Sequence, residues 1–213
     1  VDVILAAVAL GAAAVYFCRF CYRGVSLWKT ITKVSAILPL VVFAAVHGGA
    51  GLLVLALCLC LAGDFFLSLE GDTPFLAGVG AFALGHVAYI ALFLRHPLAE
   101  PALVLQIPFF IVGLVLIAIA GFVAPVLFRA AGPLRFAVLG YVPMIAGMGI
   151  AGLGFALQMP LVSIGALLFV ASDLVLGLEM FVLRDRTLAK RVAPFWVWAT
   201  YWLAQTVLVV ALT

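Results

Sequence analysis

Residues 50–69 read AGLLVLALCLCLAGDFFLSL. The stretch is long and apolar enough to cross a lipid bilayer, which takes roughly 20 such residues. Yet it carries one charge, Asp64, directly after Gly63. Residues 164–174, IGALLFVASDL, repeat the pattern and place Asp173 after Ser172. A carboxylate near a bilayer centre costs about 2.5–3.5 kcal/mol even on lenient insertion scales. Two of them, among only eight acidic residues in the chain, point to a functional site inside the membrane.

The rest of the chain agrees with that setting. Apolar residues make up 69% and charged residues 9% of 213, where soluble domains hold about 45–50% and about 25%. That mixture cannot build a soluble surface, so the chain reads as an integral membrane protein with about eight spans. No length remains for a sizeable extramembrane domain. Nucleic-acid binding would need a basic surface, and none is available. Hydropathy and turn signals place the spans at 3–20, 31–46, 50–69, 75–94, 102–120, 134–157, 161–183 and 193–212. Only helices and closed barrels span lipid, so the expected fold is all-α: a single domain over residues 1–213, a polytopic bundle of eight transmembrane helices around an internal polar cavity.

Basic residues set the expected orientation. Arg19, Arg23, Lys29, Lys33, Arg129, Arg135, Arg184, Arg186, Lys190 and Arg191 flank the connections after spans one, three, five and seven, and only Arg95 lies opposite. Positive loops stay cytoplasmic, so both termini face away from the cytoplasm. The compact Ala- and Gly-rich chain points to a bacterial inner membrane. At about 1.5 Å per residue, Asp64, Asp173, His86, Lys33, Tyr201 and Gln205 share one depth band, although they come from different helices. The cavity they imply opens to the cytoplasmic side.

Two carboxyls brought together in low dielectric cannot easily ionise together, so the pair holds an acid and a base at neutral pH. Lys33 offers a partner for an ionised aspartate or for a lipid phosphate. His86 and Tyr89 share one helix face, as do Tyr201 and Gln205, and each pair reads either as interhelical hydrogen bonding or as groups that orient substrate and water. Glu179, nearer the headgroups, reads as solvated or paired with Arg184. Trp28, Trp196, Trp198 and Trp202 read as an interfacial belt. Cys18 and Cys21 have a metal-motif spacing without companion ligands, and the three histidines are scattered, so no metal site is expected. No serine-hydrolase elbow or phosphate-binding glycine loop occurs.

Residues 60–64 (CLAGD), 75–90 (FLAGVGAFALGHVAYI), 165–174 (GALLFVASDL) and 201–205 (YWLAQ) resemble, in order and spacing, the signature of the YhhN-like lysoplasmalogenases. One departure is Val34 after Lys33, where that family often has proline. The resemblance implies an eight-span bundle that hydrolyses the vinyl ether of a lysophospholipid substrate to a fatty aldehyde and glycerophosphoethanolamine or glycerophosphocholine, without a cofactor. Asp64 and Asp173 would be catalytic. Lys33, His86, Tyr89, Ser172, Tyr201 and Gln205 would contact or orient the substrate, whose single chain lies among membrane lipids and apolar side chains.

Three other functions are open, and two of them use buried acids. An intramembrane aspartyl protease normally shows Gly-x-Gly-Asp, whereas residues 61–64 are Leu-Ala-Gly-Asp. A proton-coupled transporter of a small molecule or lipid would show paired repeats and broken helices, and neither is evident. A structural lipid-binding protein would need neither aspartate.

Overall fold

The computed structural model describes residues 2–183 and 187–213. Among them every regular element is helical: α1 (Asp2–Val15, continued as a π-turn over Tyr16–Phe20), α2 (Leu27–Val46), α3 (Gly51–Leu67), α4 (Asp72–Arg95), α5 (Phe109–Ala130), α6 (Arg135–Gly152), α7 (Pro160–Phe181) and α8 (Leu188–Leu212). Seven are long and apolar enough to cross a membrane, and α3, at 17 residues, is shorter but within the range of about 17–25 that can span. Leucine, isoleucine and phenylalanine point outward along their length, as at Leu84, Ile117 and Phe122. A soluble monomer rarely tolerates so much exposed apolar surface. The chain is a multi-pass helical membrane bundle.

Three boundaries differ from the sequence reading, each for a local reason. The fifth span, expected at 102–120, runs Phe109–Ala130. Proline disfavours helix in the residue before it, so Pro108 separates a short 3-10 turn, Pro101–Leu105, from the span. The helix then continues through Pro125, as membrane helices tolerate. The second helix begins at Leu27 rather than 31, because the Ser26 hydroxyl accepts from the Lys29 N–H at 3.2 Å and caps an extra turn. Thr187 does the same for Lys190 at the start of α8, which begins at Leu188 rather than 193. Both extra turns carry lysines into the bundle's basic end.

The helices pack as adjacent antiparallel neighbours, with α3 on α4 and α7 on α8 the most intimate pairs. Small residues permit that closeness. A Cβ added to Gly63 would lie 2.5 Å from the Phe82 ring, and one at Gly78 would lie 2.7 Å from Leu67. Gly63 therefore lets α4 lie directly against the turn that carries Asp64. Across α7 and α8, Gly165 sits under Leu208 in the same manner. Two of the four tryptophans tie α8 to its neighbours. The buried Trp198 indole donates to the Ala13 carbonyl at 3.0 Å, and Trp202 donates to Ala36 at 3.2 Å.

Candidate functional site

A cavity of about 200 Å³ lies between α2, α3, α4, α7 and α8, closed on one side by Tyr16 of the π-turn. Lys33, Asp64, Ser172, Asp173 and Tyr201 all line it. Helical spacing explains the convergence. On α7, Ser172, Asp173, Leu176 and Glu179 repeat at three to four residues along one face, and on α8 Pro194, Val197, Trp198 and Tyr201 do likewise. All of these side chains face the cavity.

The two aspartates have different partners. Asp64 is 1% exposed and sits three residues before the end of α3. Its Oδ1 lies 2.9 Å from Lys33 Nζ, and its Oδ2 accepts from the Tyr201 hydroxyl at 2.6 Å. Both partners are donors, the surroundings that suit a carboxylate.

Asp173, 6% exposed, lies about 12 Å from the end of α7 at the usual helical rise. Its Oδ2 accepts from the Tyr141 hydroxyl at 2.5 Å and faces His86 Nε2 at 3.2 Å. The opposite ring nitrogen, Nδ1, lies 2.7 Å from the Phe82 carbonyl. A carbonyl only accepts, so Nδ1 carries a hydrogen. Nε2 and Oδ2 would then be two acceptors face to face unless a second proton lies between them. The two carboxyls thus differ in their company: a lysine and a tyrosine at Asp64, a histidine and a tyrosine at Asp173.

Sequence reasoning placed eight residues at this site, and their positions fall into three groups. Lys33, Asp64, Ser172, Asp173 and Tyr201 line the cavity, with the Ser172 hydroxyl bonded to the Val197 carbonyl at 3.0 Å. His86 reaches the cavity through Asp173. Tyr89 and Gln205, both wholly buried, are not among the lining residues; the Tyr89 hydroxyl donates to Gln205 Oε1 at 2.5 Å and joins α4 to α8. Of the two partners open to Lys33, the geometry supplies the aspartate.

Tyr141, Tyr16, Lys29 and Glu179 were not anticipated at the site. A tyrosine interrupting an apolar span was the available signal for Tyr141. The Ser26 cap was the signal for Lys29, because it puts Lys29 and Lys33 four apart on one face of α2. Glu179 has Lys190 Nζ 3.6 Å from its Oε1, while Arg184, the partner the sequence offered, and Arg186 lie outside the described residues.

Two apolar recesses adjoin the polar cavity, and Asp173 borders both. One, about 50 Å³, is walled by Phe75, Val79, Tyr141 and Phe181, and the other, about 180 Å³, opens between α5, α6 and α7. They share Leu127, Val142 and Ile145. A polar chamber with two carboxyl groups therefore meets an apolar slot at Asp173. Among the described residues no three His, Cys, Asp or Glu side chains gather as a metal site.

No curated protein and no solved structure matches the chain. A family model, that of the YhhN family, matches residues 28–212, a range that takes in Lys33, Asp64, His86, Tyr141, Asp173 and Tyr201. On that match, which covers most of the sequence, the chain belongs to the YhhN family.

Proposed function

We propose that the protein is a lysoplasmalogenase, an ether hydrolase that cleaves the vinyl ether of lysoplasmalogens into a fatty aldehyde and glycerophosphoethanolamine or glycerophosphocholine. The observation that carries the reading is the unequal aspartate pair at the junction of a polar chamber and an apolar slot. A lysoplasmalogen has that same division: one alkenyl chain, a reactive enol ether, and a polar glycerophospho group. Family membership supports the assignment.

Vinyl ether hydrolysis begins with proton transfer to carbon. In this scheme Asp173, sharing its proton with His86, donates to the vinyl carbon remote from the ether oxygen. The double bond's electrons form the new C–H bond and leave an oxocarbenium centre at the adjacent carbon. Asp64, an anion held by Lys33 and Tyr201, stabilises that cation as carboxylates do in glycoside cleavage. It also draws a proton from the water that attacks the cationic carbon. The hemiacetal so formed collapses, its hydroxyl proton leaves, and the glycerol oxygen takes a proton, giving aldehyde and alcohol. One water is consumed and no cofactor is used. The chain would enter the apolar slot along Leu127, Val142 and Ile145. With basic loops on the cytoplasmic side, the chamber would draw substrate from the cytoplasmic leaflet.

Turnover in D2O tests the scheme, with the aldehyde reduced as it forms to prevent exchange. Protonation at carbon places one solvent deuterium beside the aldehyde carbon, and 18O-labelled water supplies the aldehyde oxygen. Label in the glycerol oxygen instead would refute the hemiacetal route.

A further inference from the structure

We infer that the vestibule outside the aspartate cavity is a subsite for a zwitterionic phosphodiester headgroup, holding the phosphate between Lys29 and Lys190 and the ammonium against Glu179. The inference rests on the hydrolase reading above and adds to it the means of headgroup selection.

The vestibule, about 540 Å³, is continuous with the aspartate cavity, because Cys21, Lys29, Glu179 and Pro194 line both. Its described walls also carry Arg23, Lys190 and Arg191. Four cations thus surround one carboxylate, and the excess positive charge favours an anion there. Lys33 does not serve that purpose, since Asp64 holds it at 2.9 Å. Lys29 stands one helical turn nearer the basic end than Lys33, about 6 Å along α2, and Glu179 stands about 9 Å beyond Asp173 along α7. A glycerol bridge between vinyl ether and phosphate has to cover just such a span.

The lysines have donors to spare. Lys29 Nζ donates to the Arg23 carbonyl at 2.6 Å and Lys190 Nζ to the Glu179 carbonyl at 2.7 Å. An ammonium has three donors, so each retains capacity for phosphate oxygens. Glu179 is half-buried, and its carboxylate forms an ion pair with Lys190 at 3.6 Å, which uses only part of a carboxylate's acceptor capacity of about four lone-pair sites. It is the one carboxylate among the vestibule's described residues, which makes it the acceptor for the headgroup's cation.

The test is binding of non-cleavable alkyl ether ligands to the purified full chain in detergent. Three probes are compared: 1-alkyl-glycerophosphoethanolamine, 1-alkyl-glycerophosphate and 1-alkylglycerol. Lys29→Gln should weaken both phosphate ligands about tenfold or more and leave alkylglycerol unchanged. Lys190→Gln carries the same expectation should Lys29→Gln fail to fold. Glu179→Gln should weaken the ethanolamine ligand about tenfold while alkylglycerophosphate binds equally or more tightly. Equal losses for all three probes, or unchanged affinities, would overturn the inference. Free glycerophosphoethanolamine, run alongside, separates a site for the polar group alone from one that requires the chain. If the headgroup pattern holds and wild type releases no aldehyde, the subsite stands and the hydrolase reading falls. If aldehyde is released and binding ignores the headgroup, only the subsite falls.

Discussion

Replacing Lys33 with methionine would strand Asp64. The carboxylate is 1% exposed and the two charged atoms lie 2.9 Å apart. At an effective dielectric of about 20, that separation is worth about 6 kcal/mol of attraction, against which the desolvation of both ions must be set. Removing one partner of a buried pair typically costs about 3–5 kcal/mol, because the other is left uncompensated. For a chain of this size that is a fall in Tm of roughly 10 °C. Asp64→Asn should cost less, about 1–2 kcal/mol, because Lys33 keeps 15% of its side chain exposed and can turn outward. The double variant Lys33→Met/Asp64→Asn should be no less stable than Lys33→Met alone, since both charges leave together. Thermal unfolding of the four proteins in one detergent closes the cycle. Additivity within about 0.5 kcal/mol would show that the pair is not coupled and would remove the reason for treating Asp64 as the anion.

Further expectations concern packing, proton handling and the substrate slot. Gly63→Ala puts a Cβ 2.5 Å from the Phe82 ring and should cost about 1–3 kcal/mol, read as a lower Tm that Phe82→Leu partly restores. His86→Gln should lower kcat about a hundredfold with KM little changed, because His86 acts through Asp173; an effect on KM alone would contradict its role in holding the proton. Tyr89→Phe leaves Gln205 Oε1 without its 2.5 Å donor and should reduce stability by about 1–3 kcal/mol while turnover stays near wild type. Ile145→Trp should raise KM more for long alkenyl chains than for short ones, as measured across a chain-length series.

The parts of the fold set by composition were legible in the sequence. Eight apolar runs needed only hydropathy, and Asp64 and Asp173 stood out because charge is so costly in lipid. Features governed by local backbone chemistry were less visible. Pro108 moved the fifth span, and single hydroxyls at Ser26 and Thr187 lengthened α2 and α8 by about a turn. Those added turns carry Lys29 and Lys190, so the vestibule was missed along with the caps. The partners of the two aspartates could not be read from sequence either. They depend on which side chains reach across helices: Lys33 and Tyr201 to one carboxylate, His86 and Tyr141 to the other. Tyr141 is amphipathic and ordinary in a span, so only the packing of α6 against α7 reveals its bond to Asp173.

In the proposed function an unequal aspartate pair hydrolyses a vinyl ether. Its most direct test is aldehyde release from lysoplasmenylethanolamine by the purified wild type in detergent, beside Asp64→Asn and Asp173→Asn. Wild type should release aldehyde without any ion gradient, and each variant should lose at least about a hundredfold with the fold retained. No release by a well-folded wild type across ethanolamine and choline headgroups, or full activity in both variants, would contradict it.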